Sequence, residues 1–252
     1  MHKINFFSGH KVLKELADQL SDGLGEKEYS CPINVVVGSH ISPRRLPHGL
    51  NIALQTEHFF DADGQRLWRK ESLFRRVKTL LKYDVVLDLS IHNKQHYQLL
   101  PKALRRKIHY GPHIFPENTI NFSPMKSAPV VFFGASSPRR EKVLSSLNPL
   151  LIKRLPIGLF GQHLQDFLVL SRGVVNIHFA EGTYTEWPRL LSSYLAGKVV
   201  FSDPLSDMTI GQHYFSLDSI ENQDISPEEI FIRFRDEIAR KNIFSDWLKT
   251  VL

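Results

Sequence analysis

The chain has 252 residues, 42% of them apolar and 23% charged, with a formal net charge of +6. That is enough chain for one large domain or two small ones in an ordinary globular protein. It excludes a helical membrane span, for want of an apolar run near about 18 residues, and its single cysteine, Cys31, excludes an intrachain disulfide framework.

Ile4–Phe7 reads as a strand and Lys11 to about Leu24 as a helix, with Ser8-Gly9-His10 at the turn between them. The opening run MHKINFFSGHK lacks the apolar core of a signal peptide, so a cytosolic setting is expected. Val35–Val37 is a second strand. The segment Ser39–Gly49, interrupted by Pro43 and Pro47, is a loop, and Asn51–Thr56 is a third strand ending in Glu57-His58. Asp61-Ala62-Asp63-Gly64 has the spelling of a divalent-metal Asp-x-Asp and also that of an ordinary turn. No other carboxylates cluster nearby, so no metal is expected. The spacing predicts a helix over Leu67–Tyr83, burying Leu73, Val77, Leu80 and Leu81. Arg66, Arg69, Lys70, Arg75, Arg76, Lys78 and Lys82 crowd the rest of it. This is read as a solvated face, with contact to anionic lipid headgroups as the sharper alternative. Val85–Leu89 is a strand, followed by Ser90-Ile91-His92-Asn93 and a helix to about Leu104, and Ile108–Tyr110 is a strand. Residues 116–128, polar and aperiodic, form the expected linker.

After the linker the alternation restarts. Pro129–Phe133 is a strand ending at Gly134, and Ser137-Pro138 opens a helix in the favoured order of cap and then proline. Arg139 and Arg140 fall in its first turn, where cations oppose the helix dipole; that placement suggests an anionic ligand. Leu151–Leu155 is a strand, and Leu164, Phe167 and Leu168 mark a helix. Val174–Ile177 is a buried strand. Beyond a polar loop comes a helix with Trp187, Leu190, Leu191, Tyr194 and Leu195 on one face, then Gly197 and the strand Val199–Phe201. This βαβ unit gathers Asn176, His178, Glu181, Glu186 and Arg189 where such units bind ligands. A short strand near Tyr214–Leu217, a capping box at Ser226-Pro227-Glu228-Glu229 and a last helix with Phe244, Trp247, Leu248 and Val251 complete the chain. The fold class expected is α/β, with two Rossmann-like domains, 1–120 and 121–252, facing across a cleft. Neither half carries G-x-G-x-x-G or G-x-x-x-x-G-K-[ST], which disfavours a dehydrogenase or P-loop enzyme.

Three blocks of the second half resemble the donor-binding domain of GT-B-fold glycosyltransferases, of the family 1 and 4 kind. They are VVFFGASSPRR at Val130–Arg140, GLFGQHLQD at Gly158–Asp166, and Val174–Asp203 with Asn176, His178, Glu186, Arg189, Leu195, Lys198 and Ser202-Asp203 in register. In the first half, Asn51–Glu57 and DVVLDLSIHN at Asp84–Asn93 are similar to the family's Q-x-E and D-x-S-x-x-N strands. The resemblance implies a nucleotide-sugar co-substrate bound by the second half and no other cofactor. Gly134 would let the backbone approach the diphosphate and Arg139 or Arg140 would pair with it. Asn176 and His178 would belong to the same donor site, Glu186 would bind ribose or sugar, and Arg189 would hold Glu186 or meet phosphate. Tyr194 stands where many retaining members carry a second glutamate, so the stereochemistry of transfer stays open.

The first half would hold the acceptor, with His10 and Glu57 the preferred bases and His40 and His58 further candidates. The activity expected is transfer of a sugar to a polysaccharide or glycolipid, without a metal. Of the Lys and Arg residues, 18 lie in residues 1–125 against 12 Asp and Glu, so the excess of positive charge sits in that half and suits an anionic acceptor or the inner face of a membrane. The alternatives are a DNA-modifying glycosyltransferase, whose binding would fall steeply with salt, and a non-catalytic nucleotide- or carbohydrate-binding module.

Overall fold

The computed structural model describes residues 2–39, 41, 45–67 and 73–252, with the backbone alone at 73–76. His40, Pro43, Arg69 and Lys70 lie outside the described residues, as do the side chains of Leu73, Arg75 and Arg76. The chain divides into two compact units, Met1–Asn118 with Asn242–Leu252, and Thr119–Lys241. Each is built on a five-stranded, all-parallel sheet among the described residues.

The first unit runs β1 (Ile4–Ser8), α1 (Lys11–Leu24), β2 (Ile33–Val37), β3 (Leu50–Gln55), α2 (Leu73–Leu80), β4 (Val85–Asp88), α3 (Lys94–Tyr97), α4 (Lys102–Arg105) and β5 (Ile108–Tyr110). Its strands lie side by side in chain order, β1-β2-β3-β4-β5. All five residues of β2 are buried, as expected of a parallel strand covered on both faces. One face packs Val36, Ala53 and Val86 against Leu80, Tyr83, Tyr97 and Leu100. Two sequence expectations change here. Leu81 is 57% exposed rather than buried, because α2 ends at Leu80 and the chain turns toward β4. The single helix expected after Ser90-Ile91-His92-Asn93, to about Leu104, is broken into the short α3 and α4, with Pro101 immediately before α4 and a 3₁₀ turn, Ile91–Asn93, ahead of α3.

The second unit runs β6 (Val130–Phe132), α5 (Pro138–Ser146), β7 (Ile152–Arg154), α6 (Gly161–Val169), β8 (Gly173–Asn176), α7 (Trp187–Leu195), β9 (Val199–Ser202), β10 (Phe215–Ser216) and α8 (Pro227–Arg233). Its strand order is β10-β9-β8-β6-β7. The chain leaves β6 for a neighbour on one side and returns, through α6, to β8 on the other. Leu164 and Leu168 of α6 and Ala196 after α7 share a core with Val131 and Val174. On α7, Tyr194 stacks on Phe231 of α8 with ring centroids 5.6 Å apart, which makes it a core residue. Ser226 precedes α8, but its side chain makes no cap hydrogen bond, so the capping box is spelled and not formed.

The stretch 116–128 is tied down at several points. Ser123 N–H donates to Gly197 O (2.9 Å), and Lys198 Nζ donates to Ser123 O. A last helix, α9 (Phe244–Val251), groups with the first unit, although the sequence placed it in the domain 121–252. Phe244 N–H donates to Phe115 O, its ring lies 6.2 Å from Phe6, and Ser245 Oγ donates to Glu117. The apolar pattern marks α9 as amphipathic but not which core receives it. Among the described residues, no helix is long and apolar enough to cross a membrane.

Candidate functional site

The order reversal in the second unit is a topological switch point. The loops leaving the carboxyl ends of β6 and β8 diverge there, and ligands of open α/β sheets bind in the resulting crevice. Five charged residues converge on this edge: Arg139 and Arg140 in the first turn of α5, Glu186 and Arg189 at the start of α7, and Asp203 just after β9.

Local chemistry places each of them. Ser137 is the N-cap of α5, its Oγ accepting from Arg140 N–H at 3.2 Å, and Pro138 occupies the first helical position. Ser137 Oγ also donates to Phe179 O (3.0 Å), joining the β6 loop to the β8 loop. Glu186 precedes α7, and its carbonyl accepts from Arg189 and Leu190, so Glu186 and Arg189 stand one turn apart.

The Glu186 carboxylate is the hub. Arg140 Nη2 donates to both of its oxygens (2.8 and 3.0 Å), and Arg189 donates through Nε (3.2 Å) and Nη2 (3.1 Å). Phe179 N–H adds a longer bond of 3.3 Å. The Arg140 and Arg189 side chains are only 3% and 8% exposed, and that of Glu186 18%. Burial alone would raise the Glu186 pKa. Arg189 and then Arg140 outweigh it, and the carboxyl stays below its ordinary range. A second pair lies alongside: Arg139 Nη1 donates to Asp203 Oδ2 (2.7 Å), which also accepts His178 N–H (2.9 Å).

The guanidiniums also gather backbone carbonyls. Arg140 donates to Ile177 O (2.7 Å) and Ala135 O (2.9 Å), Arg139 to His178 O (3.0 Å), and Arg189 to Phe133 O. The carboxyl ends of parallel strands present carbonyl oxygens, and arginine's fork of donors satisfies several at once. These arginines already have anionic partners within the chain. Their first anionic partners are the chain's own Glu186 and Asp203. Three guanidiniums meet two carboxylates at bonding distance, and the carboxylate of Glu181 acts on Arg139 from further away. Arg139 is the most open of the three, 24% exposed, and its Nε and Nη2 make no bond among the described residues.

Gly134 has φ +114°, and a Cβ there would lie 2.9 Å from Arg189 Nη2. Its lack of a side chain admits that guanidinium. Asn176 and His178 are fully buried. Asn176 Nδ2 donates to Ser202 Oγ (2.8 Å), while its Oδ1 has no partner among the described residues. His178 stacks on Tyr184 with centroids 4.1 Å apart, and its Nδ1 lies 2.9 Å from Gly182 O. A carbonyl fixes Nδ1 as the donor, so Nε2, which has no partner, is a buried bare acceptor. Burial holds the imidazole pKa below 6.5, against the pull of Glu186 and Asp203. Tyr184 is a member that sequence reasoning missed, and Asp203, matched in the family pattern, was given no role there. Asp203 follows the last residue of β9, Ser202, which pairs with Asn176 in the parallel register. Glu181 stays exposed.

In the first unit the carboxyl edge is organised differently. Asp88, fully buried at the end of β4, accepts from Ser90 N–H (3.0 Å), Asn93 Nδ2 (2.9 and 3.1 Å) and Tyr97 Oη (2.6 Å). Asn93 also donates to Glu57 O (2.8 Å) and accepts from Phe59 N–H (2.7 Å), so the D-x-S-x-x-N spelling binds the β4 turn to the β3 loop. Glu57 follows β3 and is half-buried. His10 is the N-cap of α1, its Nδ1 accepting from Val12 N–H at 3.2 Å. Asp61 closes its own turn by accepting from Gln65 N–H (2.7 Å), and Asp63 is exposed.

No family model and no curated protein matches this chain. Among solved structures, TarM is similar at 11% identity and a TM-score of 0.45, over 87% of this chain and 54% of TarM. The chain thus spans little more than half the length of that protein. An α1,3-fucosyltransferase solved with GDP is similar at 10% identity and a TM-score of 0.44, over 98% of this chain and 90% of the other.

Proposed function

We propose that this chain is a glycosyltransferase of GT-B-like build, which binds a nucleotide-sugar donor at the switch point of its second unit. One observation carries the reading. The crevice that the strand order opens is lined by a carboxylate-guanidinium network in which Arg139, the most open of the guanidiniums, has donors to spare.

In this reading Arg139 and the N-terminus of α5 meet the donor's diphosphate. Glu186 is a positioning residue. Its oxygens are committed to Arg140 and Arg189, and it holds them in place as the edge of the site. In the transfer the acceptor hydroxyl oxygen bonds to the anomeric carbon as its proton passes to a general base. The bond from that carbon to the phosphate oxygen breaks, and the nucleoside diphosphate leaves with the electron pair. Its growing charge is what Arg139 stabilises.

The acceptor, a glycan or glycolipid hydroxyl, is assigned to the first unit. Of the two bases preferred from sequence, Glu57 is favoured over His10. A neutral His10 that accepts a backbone N–H at Nδ1 carries its proton on Nε2, and serving as base would cost it the cap.

The test is a thermal-shift screen with UDP, GDP, CMP and their sugars, followed by an assay for released nucleotide with glycan acceptors. Ligand at a hundredfold its dissociation constant stabilises the fold by about 2.7 kcal/mol, well within detection. No shift with any nucleotide would sink the proposal. A shift without turnover on any acceptor would identify a binding module instead.

A further inference from the structure

The geometry points to Phe179 as the stacking platform for the base of the bound nucleotide. This deepens, and rests on, the donor site proposed above. Phe179 is 53% exposed at the edge of the charged cluster. It is nevertheless held at both ends of its backbone: Phe179 N–H donates to Glu186 Oε1, and Phe179 O accepts from Ser137 Oγ. The Arg140 guanidinium carbon lies 5.4 Å from the ring centroid, within cation-π range. The carbonyl one residue earlier, His178 O, is the one that Arg139 holds. A fixed, half-open aromatic ring therefore sits one peptide away from the guanidinium with unspent N–H donors.

A ligand that joins a flat ring to an anionic group fits this pairing. Stacking on Phe179 costs little conformational entropy, since the backbone is already pinned and the side chain has two torsions. Phosphate at Arg139 adds the charge-assisted contact. A nucleoside diphosphate has both parts, whereas inorganic pyrophosphate and a hexose 1-phosphate lack the base.

Calorimetric titration of the wild-type chain, Phe179→Ala and Phe179→Trp with GDP, UDP, inorganic pyrophosphate and glucose 1-phosphate tests the assignment. Stacking of a base on an aromatic side chain supports an expected loss of about tenfold in nucleoside diphosphate affinity for Phe179→Ala. Pyrophosphate affinity should stay within about twofold of wild type, and Phe179→Trp should bind the nucleotide at least as well as wild type. Unchanged nucleotide affinity in Phe179→Ala would overturn the assignment while leaving the donor site standing. A parallel loss of pyrophosphate binding would overturn it too, by showing that the ring only steadies Arg140. A loss confined to glucose 1-phosphate would place the sugar there instead. If wild type binds neither GDP nor UDP, the functional reading fails and this inference fails with it.

Discussion

The two units share a five-stranded parallel sheet and differ in what they place at its carboxyl edge. In the first, strand order follows chain order, each loop lies beside the next, and neighbouring loops bond directly: Asn93 of the β4 turn reaches Glu57 O and Phe59 N–H after β3. In the second, where β8 lies beside β6, Ser137 makes one short bridge to Phe179 O, and long charged side chains make most of the other links. Arg140 connects Ala135, Ile177 and Glu186, and Arg189 connects Phe133 and Glu186. Sequential order closes an edge with short amide bridges. Reversed order leaves an opening that charge must line.

The comparison is most exposed to breakage at its hub. Glu186→Gln would leave Arg140 and Arg189 buried without a neutralising carboxylate, which costs about 3–5 kcal/mol when one partner of a buried ionic network is removed. Chemical denaturation would measure it, and a loss below about 1 kcal/mol would show that the network is solvated. In the first unit, Asn93→Ala removes donors and an acceptor from a fully buried junction and should cost about 2–3 kcal/mol. Should it prove costlier than Glu186→Gln, the ranking of charged over amide bridging is reversed.

Acid should act more gently, and in two stages. The folded-state pKa values of His109, His113 and His178 lie below the ordinary 6.5 because of burial, so the unfolded chain takes protons first and stability falls as pH drops below about 6.5. His109 and His113 belong to the first unit and His178 to the second, so this stage touches both. The Glu186 carboxyl, lowered by its arginines against its burial, adds stability above its ordinary 4.5 that is lost as pH falls through the folded value. Melting temperatures across pH 3–8 for wild type, His178→Gln and Glu186→Gln would separate the stages. A Glu186→Gln curve as steep below pH 4.5 as wild type's would contradict the assignment. The smallest effect is expected at His10→Ala, which removes an exposed helix cap and should cost about 0.5–1 kcal/mol with turnover retained. Loss of turnover in a folded His10→Ala would restore it as the base over Glu57.

Much of this was legible in the sequence because it is local. Val174–Asn176, the Ser137-Pro138 helix start and Gly197 read correctly since periodicity, capping and left-handed glycine depend on neighbours a few residues away. Helix start and loop position marked Arg139-Arg140 and Glu186 with Arg189 separately, and the family resemblance joined them as one site. Their partners were not legible, since the Arg140–Glu186 and Arg139–Asp203 bonds join residues 46 and 64 apart in the chain. Nor was Phe179, whose exposure depends on what packs around it. The broken helix after Ser90 and the placement of α9 also turned on which surface was available, which periodicity does not encode.

The sequence by itself determined two βα-alternating halves, the caps and the residue types gathered at the carboxyl ends of the second set of strands, because backbone sterics and hydrophobic period act over short range. Only the tertiary structure decided that β8 lies beside β6 and not beside β7, and that one order runs straight while the other reverses. Strand adjacency is a long-range choice, fixed by how whole faces bury against each other. From that choice come the pairing of each arginine with its carboxylate and the open side of Arg139.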